Sequence, residues 1–196
     1  MPERKPIGRQ AKATRAANVA PFLVAPNQLP PHTAKRDVWN VVIETPRHSP
    51  YKYKYEPRLG AFVMSKVLPE GMFFPYDFGF LPRTKAQDGD PLDVLLFMEE
   101  PAFCGCVVPA RLIGLIEARQ SEKGTTVRND RLVAVPESSR TATQYTSMKD
   151  LSRDRIREIE DFFENYNREF GKRFTILGIG GPQQAVRAVR QALVSE

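Results

Sequence analysis

The sequence predicts an α+β fold in which a small β-barrel is followed by two C-terminal helices. Three observations lead there. Short runs of β-branched and aromatic residues, separated by Gly, Pro and Asp turn signals, fill the first two thirds of the chain. After about residue 152 the apolar period changes from strand-like to helical. The chain has 196 residues, 41% hydrophobic and 27% charged, enough for one compact domain with a real core.

The elements follow in order. Val38–Thr45 reads as a first strand, and Lys52–Glu56 alternates charged and aromatic residues as a two-faced strand does. Pro57–Gly60 is a turn into a strand at Ala61–Met64. Met72–Phe80 is dense in aromatic residues and interrupted by Pro75 and Gly79. Val94–Met98, Val107–Ile116 and Arg131–Val135 are further strands. Arg155–Phe170 sets Ile156, Ile159, Phe163, Tyr166 and Phe170 at helical spacing; Ser152 can cap this helix and Gly171 can end it. A second helix follows Pro182, with Ala185, Val186, Val189 and Leu193 on one face. Gly178–Gly181 lacks the Lys-Ser/Thr of a phosphate loop and reads as a helix-entry loop. The sequence has no internal repeats.

Charge is unevenly placed. Residues 1–36 hold seven Lys or Arg, one acid and six of the 17 prolines, whereas the remainder holds 22 basic and 22 acidic residues. The net charge of +6 therefore belongs to the N-terminal segment. Residues 1–36 are expected to be a loosely ordered basic arm and 37–196 the folded domain. No aromatic residues interleave with the arm's charges, so nucleic acid is not expected as a partner. No apolar run is long enough to span a membrane and no apolar segment follows the early basic residues as in a secretory signal, so a cytoplasmic location is expected. The two cysteines, Cys104 and Cys106, read as core or bulge thiols in a reducing compartment rather than a disulfide or zinc pair.

The chemistry lies in Asp88-Gly89-Asp90-Pro91-Leu92-Asp93-Val94. Asp-Gly with a nearby proline is a turn signal, and an acidic turn before a strand is most often structural. The third carboxylate changes the balance, because three clustered anions repel one another unless a hard cation sits among them. Oxygen-only ligands suit Mg²⁺, Mn²⁺ or Ca²⁺ rather than zinc. An EF-hand is excluded: Asp88, Asp90 and Glu99 match its first, third and twelfth positions, but Leu92 occupies the fifth and Asp93 the sixth, where the loop needs glycine.

This motif closely resembles the signature of the soluble family I inorganic pyrophosphatases. The likeness runs from about Val41 to Leu193 and includes Val41–Pro46, Phe74–Phe80, Leu132–Pro136 and Phe162–Tyr166, in family order. The resemblance implies an OB-like five-stranded β-barrel with two flanking C-terminal helices, and a homo-oligomer, a hexamer among members of this length. It implies Mg²⁺-dependent hydrolysis of pyrophosphate to two phosphates by metal-activated water. Carried over by motif, Asp88 and Asp93 are metal ligands, and Asp90 is a metal ligand and the base or orienter of the attacking water. Glu44 would hold a metal that arrives with substrate. Lys52, Lys66 and Arg131 would bind phosphate, and Tyr166 the leaving phosphate.

The same alignment shows departures. Aligned without gaps, Lys54 stands where the family has Glu, and Lys66 where it has Arg; Phe74 and Phe78 replace tyrosines, and Asn167 a lysine. Gapping two residues would instead read Lys54-Tyr55-Glu56 as the family's Lys-Tyr-Glu. Two further family aspartates fall on Ser121 or Gln120, with Glu122 next to it, and on Asn129; Asp130 and Glu117 are available as substitutes. An ammonium 4 Å from a cation repels it by about 4 kcal/mol at an effective dielectric of 20. Fewer Mg²⁺ ions than usual for the family are therefore expected. The alternative is a pyrophosphatase-like paralogue with a binding or assembly role, or one acting on another phosphoanhydride.

Overall fold

The computed structural model describes residues 24–194. Its centre is a closed ring of five strands: β1 (Trp39–Thr45), β4 (Asp77–Phe80), β5 (Asp93–Leu96), β8 (Arg131–Pro136) and β6 (Val107–Glu122), with β6 returning to β1. This is the five-stranded barrel expected from the sequence. Every pairing in the ring is antiparallel except β5 with β8.

The ring closes because its strands are apolar on both faces. All four residues of β4 and all six of β8 are buried. Alternate side chains go to opposite faces. Leu95, Val133 and Val135 join one core with Ile159 and Phe163 of α1 (Arg153–Glu169). Val94, Leu96, Leu132 and Ala134 join a second core with Ala185 and Val189 of α2 (Pro182–Ala192). Phe163 is 2% exposed, and truncating such a residue to alanine costs about 3–5 kcal/mol. β1 and β4 approach so closely that a Cβ on Gly79 would lie 2.0 Å from the Val42 carbonyl oxygen, so only glycine fits there.

β6 has sixteen residues and outruns the ring. Irregularities between Leu112 and Gly114, and between Glu117 and Ala118, bend it. Its second half pairs with β9 (Arg173–Gly180) on one side and β7 (Thr125–Arg128) on the other. Neither strand is expected from the sequence. β7 returns through a two-residue turn, Lys123-Gly124, in which both residues have positive φ, +49° and +82°. β9 contains Gly178 and Gly180, which blank out alternate positions of its pattern, so residues read as a helix-entry loop are strand up to Gly180. The remaining two strands, β2 (Tyr51–Glu56) and β3 (Ala61–Val67), form a hairpin with its own two-stranded sheet, apart from the ring.

The helices lie where periodicity puts them. Ser152 accepts a hydrogen bond from the Arg155 N–H at 3.2 Å and caps α1; Gly171, at φ +70°, follows its end. Residues 24–36, which the sequence assigns to the arm, run along the ring: Ala25 and Leu29 pack on Val42, Tyr55 and Phe80, and the Asn40 side chain donates to the Pro30 carbonyl at 2.9 Å. The rest of the expected arm, residues 1–23, lies outside the described residues. Cys104 and Cys106 are free thiols, both partly buried, and burial pushes the Cys104 thiol up to about 11. Among the described residues no helix is long and apolar enough to cross a membrane.

Candidate active site

The ring and the β2–β3 hairpin enclose a cleft of about 1420 Å³. All eight residues singled out in the sequence line it: Glu44, Lys52, Lys66, Asp88, Asp90, Asp93, Arg131 and Tyr166. Strand register explains why they meet. β5 and β8 run parallel with Asp93 opposite Arg131, so both side chains stand at the mouth of the same strand pair. The two form an ion pair at 2.7 Å. In the hairpin, Lys52 lies opposite Lys66, and Lys54 is two residues on, on the same face of β2.

The acidic turn is held from below. Thr84 Oγ1 accepts from the Leu92 N–H at 2.9 Å and donates to the Leu81 carbonyl at 2.6 Å. Asp88 Oδ1 accepts from the Asp90 N–H at 3.2 Å, and Gly89 between them has φ +91°, which a side chain would resist. Burial raises the Asp88 carboxyl above its usual range, and the neighbouring Asp93 and Asp90 charges raise it further. Glu44, at 7% exposure, accepts from the Tyr55 N–H at 2.7 Å. Burial pushes its carboxyl up to about 7, with Asp93 adding to the effect and Lys52 and Lys54 opposing it.

Two of the three aspartates already have a cation. Lys54 Nζ lies 2.9 Å from both Oδ atoms of Asp90. Burial lowers the Lys54 ammonium, but the Asp90, Glu44 and Asp93 carboxylates outweigh that and leave it raised. Arg131 Nη1 holds Asp93 and also donates to the Asn129 side chain and to the Asn129 and Asp130 carbonyls. The pairs differ in accessibility. Lys54 and Asp90 are 44% and 56% exposed, and such surface pairs contribute about 0–1 kcal/mol. Arg131 and Asp93 are 7% and 21% exposed, with the guanidinium facing the rings of Phe78, Phe163 and Phe174. Removing one partner of a buried pair costs about 3–5 kcal/mol. The first pair opens readily; the second is part of the fold.

The cleft also holds cations that lie over aromatic rings. Lys52 Nζ lies 5.2 Å from the Phe78 ring centroid, and Lys66 Nζ lies 5.2 Å from that of Tyr166 and 3.9 Å from that of Phe170. Burial lowers the Lys66 ammonium to about 8, with Lys52 and Lys172 adding to the shift. The buried Tyr166 hydroxyl has no hydrogen-bond partner among the described residues, and burial raises its pKa. Lys172, which no sequence motif marks, lines the cleft and pairs with Glu122 at 2.8 Å.

The β6–β7 hairpin turns two of its acids away. Asp130 accepts from the Ala118 N–H and from Arg128, and Glu117 pairs with Arg128 at 2.9 Å. Neither borders the cleft; Gln120 and Asn129 do, joined by a 3.1 Å hydrogen bond. The substitute roles open to Asp130 and Glu117 in the sequence are therefore not adopted.

Among the described residues no three Asp, Glu, His or Cys side chains converge on a point that one ion could occupy. The donor set nevertheless fits a hard divalent ion. It is all oxygen, and Mg²⁺ commonly uses one or two carboxylates and keeps its waters. Asp88 is crowded by like charge and, among the described residues, has no cation bonded to it; Asp93 and Glu44 border the same space.

A cleft lined by both carboxylates and ammonium groups defines a site for a metal-bound polyanion. The comparisons give that class its family. The inorganic pyrophosphatase family model matches residues 41–195, and the chain belongs to that family. It is 37% identical over 148 residues to an inorganic pyrophosphatase of Synechocystis, covering 76% of this chain and 85% of the relative. It is 33% identical to soluble inorganic pyrophosphatase 1 of Arabidopsis thaliana, covering 80% of this chain and 72% of the relative. The crystal structure of the Thermus thermophilus inorganic pyrophosphatase superposes with a TM-score of 0.79 at 34% identity, covering 87% of this chain and 97% of that one. The Helicobacter pylori enzyme gives 0.76 at 28% identity, covering 85% and 97%.

Proposed function

We propose that this chain hydrolyses inorganic pyrophosphate to two phosphates with Mg²⁺, using fewer ions than is usual for the family. One observation carries the reading: the eight motif residues, four carboxylates together with Lys52, Lys66, Arg131 and Tyr166, line a single cleft. Lys52 and Lys66 would hold the phosphate oxygens, and the Tyr166 hydroxyl would donate to the leaving phosphate. Arg131 positions Asp93 and completes the positive lining. Asp90, once its carboxylate leaves Lys54, would accept the proton of the attacking water or orient it. Mg²⁺ held by one or two carboxylates at a time from Asp88, Asp90, Asp93 and Glu44 would neutralise phosphate charge and lower the pKa of water. Catalysis then rests on positioning and charge stabilisation. A cytoplasmic homo-oligomer, a hexamer by resemblance, completes the proposal.

A second reading, a paralogue that binds a phosphoanhydride without efficient turnover, draws support from the Lys54–Asp90 pair, which occupies the proposed base. A phosphate-release assay with pyrophosphate and Mg²⁺ or Mn²⁺ separates the two. Hydrolysis by the wild type that falls at least a hundredfold in Asp90→Asn supports the first. Equal rates in the two proteins sink it.

A further inference from the structure

The carboxylates of the Asp88–Asp93 turn have different counter-ions, and one of them is removable. We propose that Lys54 is the resident counter-ion of Asp90, which a divalent cation must displace to bind this turn, so that Lys54 sets the metal affinity of the chain. The inference rests on the reading that a divalent ion binds here, and goes beyond it by naming the residue that competes.

Four features carry it. The ammonium lies 2.9 Å from both Asp90 oxygens, bridging them as a small cation would. It reaches them from the β2–β3 hairpin, a separate two-stranded sheet, so the contact joins two independent elements across the cleft. Both partners are about half exposed, so the side chain can leave without opening the core. Arg131 cannot do the same for Asp93: it is buried, ringed by aromatic side chains and bonded to the Asn129 and Asp130 backbone. Lys52 lines the same cleft two residues away on the same strand, but it lies over the Phe78 and Tyr166 rings instead of bonding to Asp90. Contact with Asp90, rather than positive charge in the cleft, thus distinguishes Lys54. An arriving phosphoanhydride offers oxygens that can take over the Lys54 ammonium, so substrate binding and release of Asp90 are coupled, and the coupling is reciprocal.

The test is a calorimetric and spin-resonance titration of the full chain with Mn²⁺ alone, without substrate. Lys54→Gln should bind Mn²⁺ about tenfold more tightly than wild type, a difference of about 1.4 kcal/mol. Lys54→Arg should stay within threefold of wild type, and so should Lys52→Gln. Lys54→Gln within twofold of wild type overturns the proposal, as does an equal gain in Lys52→Gln or an absence of Mn²⁺ binding in every variant. Circular dichroism of each variant before titration confirms that folded proteins are compared. Hydrolysis is measured separately: tighter Mn²⁺ binding in an inactive Lys54→Gln protein would uphold this inference and count against the proposed reaction.

Discussion

The Asp88–Asp93 turn and the β6–β7 hairpin border the same cleft and both carry acidic side chains, yet they use them differently. The turn presents Asp88, Asp90 and Asp93 to the cleft, where Asp90 and Asp93 meet cations that reach in from other strands. The hairpin points Glu117 and Asp130 at its own Arg128 and faces the cleft with the amides of Gln120 and Asn129. Its remaining acid, Glu122, is paired with Lys172. One wall offers three carboxylates to a metal; the other brings only Glu122 to the cleft, and there Lys172 from outside the hairpin claims it. A carboxylate in the sequence near a site is thus no measure of its use. What decides is whether a local cation claims it first.

The same substitution on each wall should give the largest contrast. Asp90→Asn should lower phosphate release at least about a hundredfold, the usual scale for loss of a general base. Asp130→Asn should leave the turnover of folded protein within twofold. Comparable losses in both would erase the distinction. Next in size, placing acids on the quiet wall should recruit metal. The double variant Gln120→Asp/Asn129→Asp should tighten Mn²⁺ binding about tenfold, since two added charges contribute more than 1.4 kcal/mol even at a high effective dielectric. Calorimetry measures it, and unchanged affinity would mean that the hairpin cannot reach the ion.

Smaller effects sharpen the picture. Arg128→Met leaves the mostly buried Asp130 carboxylate without its cation and should destabilise the chain by about 1–2 kcal/mol, read from denaturant unfolding, with little change in metal affinity. Burial, with Lys52 and Lys172 beside it, lowers the Lys66 ammonium to about 8. The ammonium binds anions below that pH and is lost above it, so pyrophosphate affinity should fall as pH rises from about 7 to 9. Lys66→Arg keeps its charge throughout and should flatten the fall. An identical fall in both proteins would exclude Lys66 as its source.

Much of this was legible in the sequence because it is carried by local patterns. The ring strands are apolar runs, α1 has a clear helical period and a serine cap, and the three aspartates announce a site within six residues. β7 was hidden because its turn, Lys123-Gly124, has Lys where Asn or Asp usually marks a hairpin. β9 was hidden because Gly178 and Gly180 remove the side chains that would show alternation. The partners of the site were harder still. Lys54 reaches Asp90 across 36 positions, and Arg131 reaches Asp93 through a parallel register that no local pattern specifies. Lys172 enters the cleft only because α1 ends at Glu169 and the chain turns back into β9. Spacing within one segment reveals ligands; it does not reveal which distant cation will claim them.

The number of Mn²⁺ ions bound per chain in the presence of a non-hydrolysable pyrophosphate analogue, imidodiphosphate, reads directly how many ions the two walls hold. With three carboxylates on one wall and the acids of the other already paired with Arg128 and Lys172, the count should saturate at one or two. Three or four ions per chain would contradict the account.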